Sequence, residues 1–109
     1  HKVGRKWVKA IAGLNDIYNF DASRYISKDK TQLVLGVQAN IWTEHIVTVQ
    51  RLEYMLFPRI SALAEAAWSN TKNYENFLER LKPHQTIYKK EGIFYYNPFN
   101  PSSNAEPLK

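Results

Sequence analysis

Trp42 and Glu44 stand two residues apart in a turn-like segment, and their side chains are suited to binding a ligand. An indole offers a broad apolar face, and a carboxylate is a charged hydrogen-bond acceptor. On spacing alone, Trp42 is more often a core or rim aromatic, and Glu44 a solvated or helix-capping carboxylate. The segment nevertheless directly follows an apolar run, and in α/β folds ligands bind at the carboxyl ends of strands. The position is therefore that of a candidate binding site.

Several kinds of site are excluded by the residue types. The chain contains no cysteine, which excludes thiolate catalysis, disulfides and cysteine-bound zinc or iron–sulfur clusters. Its histidines, His1, His45 and His84, lack the spacing of metal ligands, so no metal and no other cofactor is expected. No apolar run approaches the ~18 residues of a membrane span.

The elements that would position the candidate site follow from the hydrophobic pattern. Residues 33–39 form a short, almost continuously apolar run, which predicts a strand buried on both faces of a parallel sheet. A helical stripe follows, with Thr48 as its candidate N-cap. Pro58 interrupts the stripe and predicts either a kink or two helices that meet near Phe57. The stripe, expected to face the core, comprises Leu52, Met55, Leu56, Ile60, Leu63, Ala64, Ala67 and Trp68.

The flanking segments complete a single unit of 109 residues. Residues 1–31 are polar, basic and weakly periodic, which predicts a loop-rich lead-in before the strand and kinked helix of residues 32–69. A second helix begins near Tyr74, Gly92 is its candidate C-cap, and an extended apolar segment completes the range 70–96. Residues 97–109 contain three prolines and predict a frayed tail. The apolar face of the second helix comprises Phe77, Leu78, Leu81, Ile87 and Tyr88.

The order of residue types in this predicted strand, turn and helix forms a specific motif. Residues 35–44 read LGVQANIWTE, and residues 52–69 read LEYMLFPRISALAEAAWS. They closely resemble β-N-acetylhexosaminidases of glycoside hydrolase family 20, in which a G-x-Q-A-x-x-W-T-E strand end precedes an E-Y-x-x-x-P-R-x-x-A-L-A-E-x-x-W helix. The motif involves more than a dozen positions, so it is far more specific than a lone glycine pattern. The resemblance extends more loosely to residues 17–21, 77–81 and 92–93.

The resemblance implies a (β/α)8 barrel, which needs about 250 residues when complete. We therefore expect an α/β fold class, represented by the last βα unit and C-terminal helix of the barrel, present only as a predominantly helical C-terminal fragment. The resemblance also implies removal of terminal N-acetylglucosamine or N-acetylgalactosamine from glycoconjugates. In this family the sugar's own acetamido oxygen attacks the anomeric carbon, which is a substrate-assisted retaining mechanism.

The catalytic machinery of the family is an adjacent Asp–Glu pair in an H-x-G-G-D-E motif. This sequence contains no Asp-Glu dipeptide, so no catalytic residue is assigned and the chain alone is expected to be inactive. By motif position, Trp42 resembles the tryptophan that packs against the sugar in the −1 subsite. Glu44 resembles the carboxylate that accepts hydrogen bonds from the ring hydroxyls. Neither residue would cleave the bond.

The net charge of +5 raises the question of a nucleic-acid partner. The basic residues form separate groups near the start and in the last helix, and no RNA-binding or helix-turn-helix signature joins them, so solvated faces explain them better. Expected partners are N-acetylhexosamine-terminated glycans and the rest of the barrel domain, with no nucleic acid and no membrane. The family resemblance favours a secreted, periplasmic or lysosomal location.

A second interpretation, from a different class, is a non-catalytic helical interaction module that self-associates. A buried strand separated from its neighbours presents unpaired edges and an apolar face, and the helical stripe would also lack its partner. Such surfaces favour a homo-oligomer or a rearrangement. If the unit rearranges, it should be mostly helical.

Overall fold

The computed structural model describes residues 12–107 as a predominantly helical chain. Its α-helices are α1 (Leu14–Tyr18), α2 (Val49–Leu56), α3 (Arg59–Trp68) and α4 (Tyr74–Lys90). Short 3-10 helices cover Ala22–Tyr25, Lys28–Leu33 and Pro101–Ser103. The first part of the predicted lead-in, residues 1–11, and the last two residues of the tail lie outside the described residues. The helical character is as expected.

The strand predicted for residues 33–39 is absent from the described structure. Residues 34–43 have no regular secondary structure, and Leu35 is fully exposed. The backbone N–H and C=O groups of a strand form a ladder of hydrogen bonds only with a neighbouring strand, and in an exposed segment without such a neighbour they bond to water instead. Residues 12–107 contain no strand that could pair with it, so the apolar sequence alone does not produce a strand.

Pro58 divides the predicted helical stripe into two helices, α2 and α3. The hydroxyl of Thr48 accepts a hydrogen bond from the backbone N–H of Arg51 at 3.2 Å, which confirms the predicted N-cap. Phe57 is extended and ends α2, and Pro58 stands at the N-cap of α3. A missing backbone N–H is tolerated at the start of a helix, so the proline separates the two helices at little cost.

The buried face of α2 and α3 is not the predicted stripe. Ala62 and Tyr54 are buried, whereas Trp68 is 88% exposed and Ile60 is also exposed. The expectation that Trp68 lies in the core is therefore wrong. No sheet is present among residues 12–107 for the stripe to cover. The face of α3 that carries Ala62 packs on α1 and α4 instead. On α2, the ring of Tyr54 contacts that of Tyr96.

The core forms where α1 meets α3 and the start of α4. Tyr18 is at its centre and is 1% exposed. Its ring centroid lies 5.0 Å from that of Phe77 and 5.3 Å from that of Tyr74. Its hydroxyl accepts a hydrogen bond from the backbone N–H of Asn73, the N-cap of α4, at 2.7 Å. The buried cluster consists of Leu14, Tyr18, Ala62, Phe77 and Leu81.

The predicted C-cap of α4 at Gly92 is confirmed. Gly92 adopts a φ of +70°, which glycine reaches without steric cost. The N–H of Ile93 donates to the carbonyl of Tyr88 at 2.9 Å, and that of Gly92 donates to the carbonyl of Lys89 at 3.2 Å. Together these bonds form a Schellman motif. The predicted apolar face is correct in part, because Ile87 is exposed whereas Phe77, Leu81 and Tyr88 are buried.

The segment after α4 returns along α2 instead of fraying. The backbone N–H of Tyr96 donates to the carbonyl of Phe57 at 3.0 Å, and that of Phe94 donates to Oε2 of Glu53 at 2.8 Å. Asn97 is buried, and its Oδ1 accepts three hydrogen bonds. The expected packing of residues 93–96 is present, whereas the frayed tail is wrong as far as residue 107. Buried amide and backbone groups that are hydrogen-bonded hold the tail in place.

Candidate functional site

Trp42 and Glu44 lie in the loop that joins the 3-10 helix Lys28–Leu33 to α2. Both are exposed, Trp42 at 67% of its surface. The N–H of Ile46 donates to the carbonyl of Thr43 at 2.9 Å, which makes a turn next to Glu44. Two residues span at most about 7 Å, so the indole and the carboxylate are close enough to contact one small ligand. Since both side chains are also exposed, both are accessible to such a ligand.

The surroundings of Trp42 and Glu44 are unusually apolar for an exposed loop. Single exposed aliphatic residues are ordinary, but a run of them marks a surface that contacts other protein or a ligand. We call residues 33–49 the apolar loop. Its exposed large apolar side chains are Leu33, Val34, Leu35, Ile41, Trp42, Val47 and Val49.

The C-terminal end of the apolar loop is held by Arg51, in the first turn of α2. Its Nε donates to the carbonyl of His45 at 3.1 Å. The guanidinium also donates to Oε1 of Glu106 at 3.1 Å and to the carbonyl of Pro107. The carbonyl of His45, the residue after Glu44, is thus bonded to a side chain of α2, which is bonded in turn to the tail.

Two carboxylates outside the apolar loop have altered proton affinity. The hydrogen bond and charge of Arg80 lower the pKa of Glu65, which links α3 to α4. Hydrogen bonds from Ser23 lower the pKa of Asp21. Among residues 12–107, no group of three or more His, Asp or Glu side chains could hold a metal ion. Among residues 33–49, Glu44 is the single carboxylate.

An open groove of about 470 Å³ lies between α3 and α4. Trp68 lies along it beside the Glu65–Arg80 ion pair. The groove shares no residue with the apolar loop. Trp68, predicted to be buried, instead lines this groove because the sheet that would cover the stripe is not among the described residues.

Trp42 and Glu44 could be selected from the sequence, whereas Arg51 and Glu106 could not. An arginine in the first turn of a helix and a glutamate in a proline-containing tail both resemble solvated residues. The two are 55 positions apart, so no helical or strand spacing connects them. The only local indication was Thr48, whose cap places the backbone of Arg51 directly after the loop.

Comparisons with known proteins identify similar sequences. The family model for the glycosyl hydrolase family 20 catalytic domain matches residues 2–71. The chain is 30% identical over 97 residues to a beta-N-acetylhexosaminidase of Cellulomonas fimi, covering 87% of this chain and 19% of that protein. It is 33% identical over 90 residues to a beta-hexosaminidase of Porphyromonas gingivalis, covering 80% and 12%. It is 35% identical over 104 residues to the beta-hexosaminidase subunit B1 of Dictyostelium discoideum, covering 94% and 16%.

The chain is much shorter than these relatives. It spans less than one fifth of the length of each of the three. The family match includes the apolar loop, α2 and α3 and ends just before α4. No solved structure matches the chain.

Proposed function

Because the chain belongs to glycosyl hydrolase family 20, we propose that it forms part of a β-N-acetylhexosaminidase. The whole enzyme removes terminal N-acetylglucosamine or N-acetylgalactosamine from glycoconjugates by the substrate-assisted retaining mechanism. The observation that carries this proposal is the family match over residues 2–71, which includes the W-T-E motif of residues 42–44. The names of the three relatives support the same activity.

Within that enzyme, Trp42 and Glu44 bind the sugar in the −1 subsite. Trp42 packs its indole on the apolar face of the ring, and Glu44 accepts hydrogen bonds from ring hydroxyls. Their exposure in one loop supports this role, since both side chains are free to contact a ligand. A hydrogen bond to a charged acceptor contributes about 1.5–3 kcal/mol. The bond-cleaving Asp–Glu pair lies elsewhere in the enzyme, because this sequence has no Asp-Glu dipeptide.

The rest of the (β/α)8 barrel covers residues 33–39 of the apolar loop and the exposed apolar side chains of α3, and it leaves Trp42 and Glu44 open to the sugar. The exposure of Leu35 and Trp68 supports this, because large apolar side chains gain stability when they are removed from water. With neighbouring strands present, residues 33–39 regain the pairing partners that a strand needs.

None of the helices among residues 12–107 has the length and hydropathy of a membrane-spanning segment. We place the enzyme in a secreted, periplasmic or lysosomal location on the family resemblance.

The sugar-binding role is tested in a chimera. Residues 33–71 replace the segment that they match in the Cellulomonas fimi enzyme, and hydrolysis of a chromogenic N-acetyl-β-glucosaminide is measured. Loss of one hydrogen bond to a charged acceptor predicts that Glu44→Gln lowers kcat/KM by about 10- to 150-fold. His45→Gln is the control from the same turn and should change kcat/KM by less than about twofold.

Two results would contradict the proposal. If Glu44→Gln left kcat/KM of the chimera unchanged, Glu44 would not bind the substrate. If residues 1–109 alone hydrolysed the substrate, the bond-cleaving groups would lie within this chain.

A self-associating helical module is the second candidate function. The exposed apolar loop favours it, because such a surface is covered equally well by a second copy of the chain. Light scattering over a range of concentrations distinguishes the two. A monomer at high concentration would eliminate this candidate, whereas a stable oligomer would support it.

A further inference from the structure

The apolar loop and the C-terminal tail meet at one buried guanidinium, that of Arg51. We propose that Arg51 and Glu106 form a clamp through which the tail holds the backbone next to Glu44. Arg51 is then a positioning residue for the loop that carries Trp42 and Glu44. The meaning of the clamp for sugar binding rests on the proposed function, whereas the clamp itself does not.

The contacts of Arg51 bridge three parts of the chain. Its side chain is 9% exposed, and Glu106 lies at ion-pair distance with a side chain that is 33% exposed. The Nε atom donates to the His45 carbonyl, while a terminal nitrogen donates to Glu106 and to the Pro107 carbonyl. A planar guanidinium can donate in these separate directions at once, which the ammonium of lysine cannot reproduce.

The bonds of Arg51 connect the loop end to both α2 and the tail. The cap at Thr48 fixes the backbone of Arg51, and the Arg51 side chain then reaches back to His45. Glu106 supplies the opposite charge that a buried cation requires. Without Glu106, the guanidinium is more stable when it turns toward water and is solvated, and its hydrogen bond to the His45 carbonyl is then lost. The loop from Thr43 to Thr48 is consequently more mobile.

The clamp is tested by proteolysis of the full chain of 109 residues, without any sugar. Glutamyl endopeptidase cleaves after Glu44, and the rate of this cleavage reports opening of the loop. Because Glu106→Gln removes a partly buried, charge-assisted contact, it should increase the rate of cleavage after Glu44 by about fivefold. Arg51→Lys should increase this rate by at least as much. Glu79→Gln is the control, since Glu79 forms an exposed pair with Lys82, and it should leave cleavage after Glu44 unchanged.

A spectroscopic measurement separates positioning from general destabilisation. Trp7→Phe and Trp68→Phe leave Trp42 as the single indole, whose quenching by acrylamide is compared with and without Glu106→Gln. We expect altered quenching of Trp42 and faster cleavage after Glu44, with cleavage after Glu91 unchanged. A chain ending at Asn104, which lacks both tail contacts, should behave like Glu106→Gln.

Equal acceleration at Glu44 and Glu91 would show that Glu106 only stabilises the whole fold, and it would overturn the clamp. Unchanged quenching and cleavage in Glu106→Gln and in the shortened chain would also overturn it. These outcomes leave the sugar-binding role untouched, because that role is tested by the kinetics of Glu44→Gln in the chimera. A failure of either proposal can therefore be told apart from a failure of the other.

Discussion

Replacing Tyr18 by Phe removes one hydrogen bond from the junction of α1, α3 and α4. The ring, which contacts Phe77 and Tyr74, is retained. The hydroxyl that accepts from the Asn73 N–H at 2.7 Å is lost. The carbonyl of Tyr18 keeps its bond from Nζ of Lys72 at 3.1 Å, because the backbone does not change.

The expected loss of stability follows from the groups left behind. The N–H of Asn73 loses its acceptor in a partly buried position, so Tyr18→Phe should lower the free energy of unfolding by about 1–2 kcal/mol. Tyr18→Ala also empties the centre of the core and should lower it by about 3–5 kcal/mol. In a domain of this size, each kcal/mol of unfolding free energy that the Phe variant loses should lower Tm by roughly 4–8 °C.

The assay is urea unfolding followed by far-UV circular dichroism. Tyr25→Phe is the control, because Tyr25 is 76% exposed, and it should change the free energy of unfolding by less than about 0.5 kcal/mol. A Tyr18→Phe variant as stable as the parent chain would show that the bond to Asn73 contributes no stability. Equal losses for Tyr25→Phe and Tyr18→Phe would show that the loss does not come from this buried hydrogen bond.

Two further changes test local features. Gly92→Ala places a side chain at a φ of +70° and should lower the free energy of unfolding by about 1–2 kcal/mol. Gly36→Ala is the control, because its added Cβ also contacts no atom but its φ is not positive. It should change the free energy of unfolding by less than about 1 kcal/mol in the same urea titration. Equal losses in the two variants would contradict the conformational explanation. The hydrogen bond from Arg80 lowers the folded-state pKa of Glu65, so this pair contributes stability above the unfolded-state pKa of the carboxyl and loses it as pH falls through the lowered value. Glu65→Gln should therefore weaken the acid dependence of unfolding, measured as stability against pH; a profile parallel to that of the parent chain would count against the role of Arg80.

Helix boundaries could be predicted because each depends on a few neighbouring residues. The cap at Thr48 needs only the N–H three residues later, and Gly92 needs only its own freedom at positive φ. Pro58 separates α2 from α3 through its missing N–H. The family could likewise be identified from the sequence, since the motif is a matter of residue types in order.

The burial of α2 and α3 could not be predicted in the same way. The stripe that ends at Trp68 has the periodicity of a buried face, but burial depends on what lies opposite it. With no sheet among residues 12–107, the other face packs on α1 and α4. The strand at residues 33–39 is missing for the same reason, because strand pairing requires a second segment.

The sequence by itself determined where α2 begins, where Pro58 separates it from α3 and where α4 begins and ends, whereas α1 was not predicted. It also selected Trp42 and Glu44 through their motif. Only the tertiary structure decided that the tail is anchored and that Arg51 joins it to the loop beside Glu44. The physical reason is distance along the chain. Caps and turns are completed within a few residues, whereas the contact between Arg51 and Glu106 spans 55 positions and exists only once the chain has folded.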